Sequence, residues 1–274
     1  MKLPIICERL GDDVLRLGVG AVDFTQPSYG FLPQEAAERT DLNAQPVSRM
    51  GDLAVCLEDG RLTVTRGGRT LTLSGFTQTP NEDEGYALQF RVHLDKGEAV
   101  YGLGQHQNGL MDQSGHAIDI WHNYRGWGGE VVGIPFLVSS HGYGLVLDNT
   151  SRTTLTPAED GQDMLWDIEV ADGLKLYLLL PDDFDGLYQA YYRLTGAPPL
   201  PPKYALAYIQ CKQRYRSREE LMQVARTYRE KGYPCDLLII DWFHWKHLGD
   251  MAVDEAYWPD PEGMCRELEE MGFK

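Results

Sequence analysis

Across residues 13–180 apolar and polar residues alternate in short runs divided by turn residues. The clearest series is Leu53-Ala-Val-Cys-Leu57, Asp59-Gly60, Leu62-Thr-Val-Thr65, Gly67-Gly68 and Leu71-Thr-Leu73. A period of two puts every second side chain on one face of an extended chain, and two-residue turns between such runs make hairpins. The stretch therefore predicts a β-meander. Residues 86–94, 134–140, 143–148 and 174–180 carry further strand patterns, with His141-Gly142 as a tight turn between the middle two. So many short strands without helical periodicity predict an antiparallel sandwich.

The pattern changes after residues 182–194, which read as a short helix. Residues 196–202, Gly-Ala-Pro-Pro-Leu-Pro-Pro, are poor in ladder donors and read as a linker. The expected organisation is a β-sandwich domain over residues 1–195, a Pro-rich linker over 196–202 and a second domain over 203–274. In the second domain residues 205–210 read as a short apolar strand. Ser217-Arg-Glu-Glu220 is a capping box opening a helix with Leu221, Val224, Ala225 and Tyr228 on one face and Gly232 as its stop. Leu237-Leu-Ile-Ile240 is a continuous apolar run, as expected of a strand buried on both faces. Asp260 and Pro261 open another helix, striped by Met264, Leu268 and Met271 and closed by Gly272. This β + α/β order implies parallel strands, in a doubly wound sheet or at the start of a (β/α)8 barrel. No GxGxxG follows the first strand, which weighs against a dinucleotide-binding sheet. Phe273-Lys274 falls where a third strand should begin, so the second domain is expected to be truncated.

Composition narrows the partners. At 274 residues and 43% hydrophobic, the chain can bury two cores. A net charge of −16, with no clustered Lys and Arg, argues against tracking phosphates, so nucleic acid is not an expected partner. Cys7, Cys56, Cys211, Cys235 and Cys265 are scattered without a CxxC pair, which fits reduced thiols better than a disulfide frame or a zinc site. Acidic residues arrive too early for a signal peptide, and no apolar run approaches the ~20 residues of a membrane span. A cytoplasmic protein with no membrane partner is expected.

Candidate chemistry lies past the second parallel strand, because α/β folds bind ligands beyond the carboxyl ends of their strands. There the sequence reads Asp241-Trp242-Phe243-His244-Trp245. A carboxylate accepts hydrogen bonds from adjacent sugar hydroxyls while aromatic faces cover the C–H side of a pyranose. The alternative is that Asp241 caps a turn and Trp242, Phe243 and Trp245 are core. His244 and His247 lack third and fourth ligands, so no metal site is expected there. Ser139, Ser140 and the histidines His93, His106, His116, His122 and His141 have no nucleophile-elbow context and read as structural. Trp121-His122-Asn123-Tyr124-Arg125, followed by Gly126-Trp127-Gly128-Gly129, suits either a binding loop or a solvated sandwich rim.

Several of these segments, in this order, resemble the signatures of glycoside hydrolase family 31, whose members carry a galactose mutarotase-like β-sandwich before a (β/α)8 barrel. They are Tyr101-Gly-Leu-Gly-Gln-His106, Ile134-Pro-Phe-Leu-Val-Ser-Ser140, Gly142-Tyr-Gly-Leu145, Asp148-Asn149, residues 205–215, Asp241-Trp-Phe-His-Trp245 and Tyr257-Trp-Pro-Asp-Pro-Glu-Gly-Met264. The resemblance spans residues 85–274, and the first 80 residues add little to it. It implies hydrolysis of terminal, non-reducing α-linked sugars with retention, performed by two Asp residues without metal or organic cofactor. Asp241 matches the family's sugar-binding Asp after the second barrel strand, with Trp242 and Phe243 beside it; Trp245 completes the motif, and the loop at Trp121 is similar to the sandwich loop that leans over the active site. The family's nucleophile follows barrel strand four and its acid/base strand six, so residues 1–274 are expected to hold no catalytic residue and to be inactive alone. Asp254, Asp260 and Glu262 match loop and cap positions instead. Gln105-His106 and the DWFxW form are most similar to α-xylosidase-like members, with α-glucosidase-like members next. The expected partner is an oligosaccharide or glycoside, with self-association or a separate barrel segment as further partners; the alternative function is a non-catalytic carbohydrate-binding or assembly module.

Overall fold

The computed structural model describes residues 3–26, 28, 30–82, 85–122, 132–158 and 162–274, with Phe243 described through its backbone only. It divides into two units, Met1–Ala197 and Pro198–Lys274.

The first unit is built from two antiparallel sheets. One runs in the order β3 (Glu38–Asp41), β1 (Ile5–Arg9), β2 (Val14–Gly20), β15 (Gly173–Leu179), β12 (Gly144–Leu147), β11 (Val132–Ser139) and β9 (Val100–Gln105). The other runs β10 (Ile118–Ile120), β13 (Thr153–Pro157), β14 (Asp163–Ala171), β8 (Tyr86–His93), β7 (Arg69–Pro80), β6 (Arg61–Arg66), β5 (Leu53–Glu58) and β4 (Val47–Met50). The expected meander is β5 to β8, paired consecutively and with alternating burial. Leu62, Leu73, Phe90 and Trp166 from one sheet and Leu15, Leu17, Leu145, Leu176 and Leu178 from the other belong to one buried cluster.

The first sheet is buried on its other face too. Helix α1 (Phe184–Thr195) lays Leu187, Ala190 and Leu194 on Val14, Phe136, Val138, Val146, Tyr177 and Leu179. That second layer explains why β12 reads as an unbroken apolar run and why β2 is buried along nearly its whole length, since a strand covered on both sides has no solvent face to mark with polar residues. Asp183 caps α1 by accepting the Gly186 N–H at 2.7 Å.

Two sequence expectations are corrected here. The strands of the sandwich begin at Ile5, ahead of the alternation that starts at residue 13: β1 pairs with both β2 and β3. Its Glu8 is buried, held by Arg16 directly across the ladder and by Arg39 at 3.5 Å, so a core strand carries charges that look like surface. Strands β9, β10, β13 and β14 also went unmarked: glycines interrupt β9, threonines occupy β13, β10 is only three residues long, and acidic residues break up β14.

In the second unit β16 (Ile209–Cys211) pairs in parallel with β17 (Leu237–Ile239). The strand expected over residues 205–210 starts at Ile209, because Lys203–Leu206 forms a 3-10 turn begun at Pro202, whose carbonyl accepts the Ala205 N–H at 2.9 Å. Helices α2 (Arg218–Glu230) and α3 (Pro261–Glu270) cover one face of this pair, with Leu221, Met222 and Met264 buried and Leu238 packed against them. The burial expected on both faces of residues 237–240 is not observed, since Ile239 is 43% exposed. Among the described residues no helix is long and apolar enough to cross a membrane.

Candidate functional site

The chain leaves β17 through Ile240 and bends at Asp241, which adopts a positive φ of 66°. A side chain pays a steric penalty in that region, and Asp tolerates it because its carboxylate can bond the adjacent backbone. Here Asp241 Oδ1 accepts the Trp242 N–H at 2.8 Å and starts the 3-10 turn Trp242–His244. His244 Nδ1 lies 2.6 Å from the Asp241 carbonyl oxygen, so Nδ1 carries the proton and donates it there. Asp241 thus caps a turn, as one reading held, but Trp242 is not core: it is 42% exposed. Trp245 is half-buried, bridges Val253 and lies 5.4 Å from the His244 ring. The Phe243 side chain is outside the described residues.

The loop after β16 opens at the same end of the strands and is fastened at two points. Glu220 of α2 accepts Lys212 Nζ at 2.5 Å and the Arg216 N–H at 2.7 Å, and these bonds hold its carboxyl below the usual carboxylate range. The capping box is therefore shifted: Ser217 Oγ accepts the Glu220 N–H at 3.2 Å, but Glu220 reaches back to Arg216 and not to Ser217. On the strand itself, Gln210 accepts hydroxyl protons from Tyr208 at 2.5 Å and Tyr228 at 2.8 Å, and donates to the Tyr215 hydroxyl at 3.3 Å. The neighbouring Tyr208 hydroxyl, with some loss of solvent, pushes the Tyr228 phenol up to about 12.

Between the loops that follow β16 and β17 lies a cavity of about 440 Å³ lined by Arg214, Tyr215, Arg216, Asp254, Tyr257 and Trp258. The sequence reading missed these arginines, although residues between a strand end and a helix cap are where α/β folds place binding groups. The nearby acidic residues are engaged in structure. Asp250, Asp254 and Asp260 each accept a backbone N–H, from Ala252 at 3.0 Å, Ala256 at 3.1 Å and Gly263 at 3.0 Å. Glu262 faces Arg266 at 3.8 Å on the surface of α3.

Trp121 belongs to the first unit, follows β10 and is 43% exposed. His122 Nε2 meets the Gly133 carbonyl oxygen at 2.8 Å, fixing this point of the chain to β11. Asn123, Tyr124, Arg125 and the glycines after them lie outside the described residues. His93 pairs with Asp163 at 3.0 Å and His106 Nε2 lies 3.1 Å from the Leu103 carbonyl oxygen.

Two family models match the chain. Residues 20–155 match the glycosyl hydrolase 31 N-terminal galactose mutarotase-like domain, and residues 198–274 match the glycosyl hydrolase family 31 TIM-barrel domain. The likeness thus starts well before residue 85. An α-xylosidase of Saccharolobus solfataricus is 36% identical over 199 residues, covering 69% of this chain and 26% of that protein. An uncharacterised family 31 glucosidase of Pseudescherichia vulneris is 31% identical over 204 residues, covering 74% of this chain and 37% of that protein. Among solved structures, a family 31 α-xylosidase from a soil metagenome, complexed with xylose, superposes with a TM-score of 0.79 at 26% identity, covering 98% of this chain and 44% of the other. The chain thus spans between about a quarter and two fifths of the length of these curated relatives. With its sandwich matched by one model of the family, its two parallel βα units by another, and both in the family's order, the chain belongs to glycoside hydrolase family 31, of which it carries the mutarotase-like domain and the start of the TIM barrel.

Proposed function

We propose that this chain is the front part of a retaining α-glycosidase acting on terminal α-linked sugars, with α-xylosides ahead of α-glucosides. The observation that carries the reading is Asp241, an aspartate held in a left-handed conformation at the carboxyl end of a parallel strand, with Trp242 exposed beside it. Backbone strain of this kind at a strand end is a mark of functional positions. In this reading Asp241 accepts hydrogen bonds from adjacent hydroxyls of the non-reducing sugar, while Trp242, Phe243 and Trp245 supply aromatic surface. In the same reading the domains are a sandwich over residues 1–195, a linker over residues 196–202 and the barrel from residue 203, in a cytoplasmic enzyme.

Retaining hydrolysis needs two carboxyl groups about 5–5.5 Å apart across the scissile bond, one as nucleophile and one as acid then base. Asp254 and Asp260 are committed to capping and Glu262 is a helix-surface residue, so none of them suits either role. The catalytic pair is assigned to later barrel strands, and residues 1–274 supply recognition without chemistry. The test uses protein purified from its native host. It should cleave p-nitrophenyl α-xyloside, leave the β-xyloside intact, and give the α-anomer first by proton NMR. A β-anomer formed first, or no cleavage of any α-glycoside, contradicts the reading. Residues 1–274 alone should release nothing; turnover by them that disappears in Asp241→Ala overturns the division of labour.

A second reading, a non-catalytic carbohydrate-binding module, is favoured by the self-contained core of the first unit. It requires glycan binding that survives Asp241→Ala.

A further inference from the structure

The sandwich brings together three side chains able to hold a metal ion, from two distant stretches of sequence. Asp95 and Glu98 lie in the turn between β8 and β9, where the Asp95 N–H donates to Glu98 Oε2 at 2.7 Å and the Glu98 N–H to the Asp95 carbonyl at 3.0 Å. His141 lies in the turn between β11 and β12. The two turns are tied by Ser139, whose Oγ donates to Glu98 Oε1 and accepts the His141 N–H at 2.9 Å. His141 Nδ1 stands 3.4 Å from Asp95 Oδ2 and 3.6 Å from Glu98 Oε2, and one ligand atom from each residue lies within 4.8 Å of the other two. Two ligands bound at ~2.0–2.2 Å to a tetrahedral ion are about 3.3–3.6 Å apart, so both histidine distances match edges of such a tetrahedron.

A second observation points the same way. Tyr143, two residues beyond His141, is 1% exposed, and its buried hydroxyl lies against Glu98 and Ser139 without a partner in full hydrogen-bonding geometry. Buried hydroxyls are almost always paired, and a water completing the shell of an ion at Glu98 would supply the partner. The Glu98 side chain is 2% exposed, whereas Asp95 and His141 are 67% and 43% exposed, which leaves an entry path from solvent.

We infer that Asp95, Glu98 and His141 bind a divalent transition-metal ion of the zinc or manganese class, with solvent in the remaining positions. An imidazole among carboxylates suits such an ion better than calcium, which takes oxygen ligands. The ion clamps the β8–β9 turn to the β11–β12 turn; its role is structural, and it takes no part in glycoside chemistry.

The experiment strips the full chain with EDTA and titrates zinc chloride, manganese chloride or calcium chloride by calorimetry, with melting temperature followed in parallel. One zinc or manganese ion should bind per chain with sub-millimolar affinity and raise the melting temperature. Binding should weaken at least ~tenfold in His141→Ala and in Asp95→Asn, and not in the control His116→Ala. Both test positions are solvent-exposed, and circular dichroism establishes that each variant is folded; if one is not, the other decides. Absence of saturable binding, equal affinity in the folded His141 and Asp95 variants, or tighter binding of calcium than of zinc and manganese overturns the assignment.

Discussion

At Gly104 there is no room for a side chain: a Cβ built there would stand 1.8 Å from the Val132 carbonyl oxygen, and at Gly102 2.5 Å from that of Phe136. Both residues, and Leu103 between them, have positive φ, where β9 meets the irregular register of β11. The family signature Tyr101-Gly-Leu-Gly is therefore a backbone device that lets two strands approach closely. Gly104→Ala should lower stability by about 2–4 kcal/mol, measured by urea unfolding. The thiols sort by burial in the same residue-level way. Burial, reinforced by the adjacent Glu8 carboxylate, pushes Cys7 far above the ordinary thiol range, whereas Cys211 and Cys265 are exposed. Iodoacetamide at neutral pH should label Cys211 and Cys265 and spare Cys7, as read by mass spectrometry of the folded chain. The position of Asp241 was legible because a strand end followed by a carboxylate and aromatics is a local pattern. The Asp95, Glu98 and His141 cluster was not, because only the pairing of β9 with β11 and of β11 with β12 joins its halves.

Among the elements, α2 shows how local chemistry sets a boundary. Ser217 satisfies the Glu220 N–H, and Ser217→Ala should cost about 1 kcal/mol of stability in thermal or chemical unfolding. Glu220 in turn fastens the loop after β16 through Lys212 and Arg216. Its folded-state pKa is lowered, so its contribution is present above the unfolded carboxylate pKa near 4.3 and disappears as pH falls through the folded value. Hydrogen exchange of the Arg216 amide should therefore accelerate, relative to its intrinsic rate, as the pH is taken from 5 towards 3, and Glu220→Gln should remove that dependence. The helices were readable from caps and stripes, since Ser217, Asp260-Pro261 and Gly272 lie at the termini the rules name. Strand β1 was missed for the opposite reason: its Glu8 and the facing Arg16 of β2 neutralise each other under cover of the Phe24 ring, with Arg16 4.6 Å from the ring centre, so polar letters stand for buried positions.

For the whole molecule, the division into two units, which falls at Ala197/Pro198, follows from the change of sequence pattern, as does the switch from antiparallel to parallel pairing. The burial expected on both faces of β17 failed because burial on both sides and burial on one side produce the same run of letters. The proposed role of Asp241 is to bind the sugar at the strand end of a family 31 barrel. The measurement that tests it most directly is kcat/KM on p-nitrophenyl α-xyloside for the native gene product and its Asp241→Asn variant, with melting temperature taken alongside. Asparagine keeps the turn cap and tolerates the left-handed backbone but lacks the charge. A fall of at least about a hundredfold is expected, from roughly 3 kcal/mol of charge-assisted hydrogen bonding, at a melting temperature changed by only a few degrees. An unchanged kcat/KM in a folded variant would contradict it.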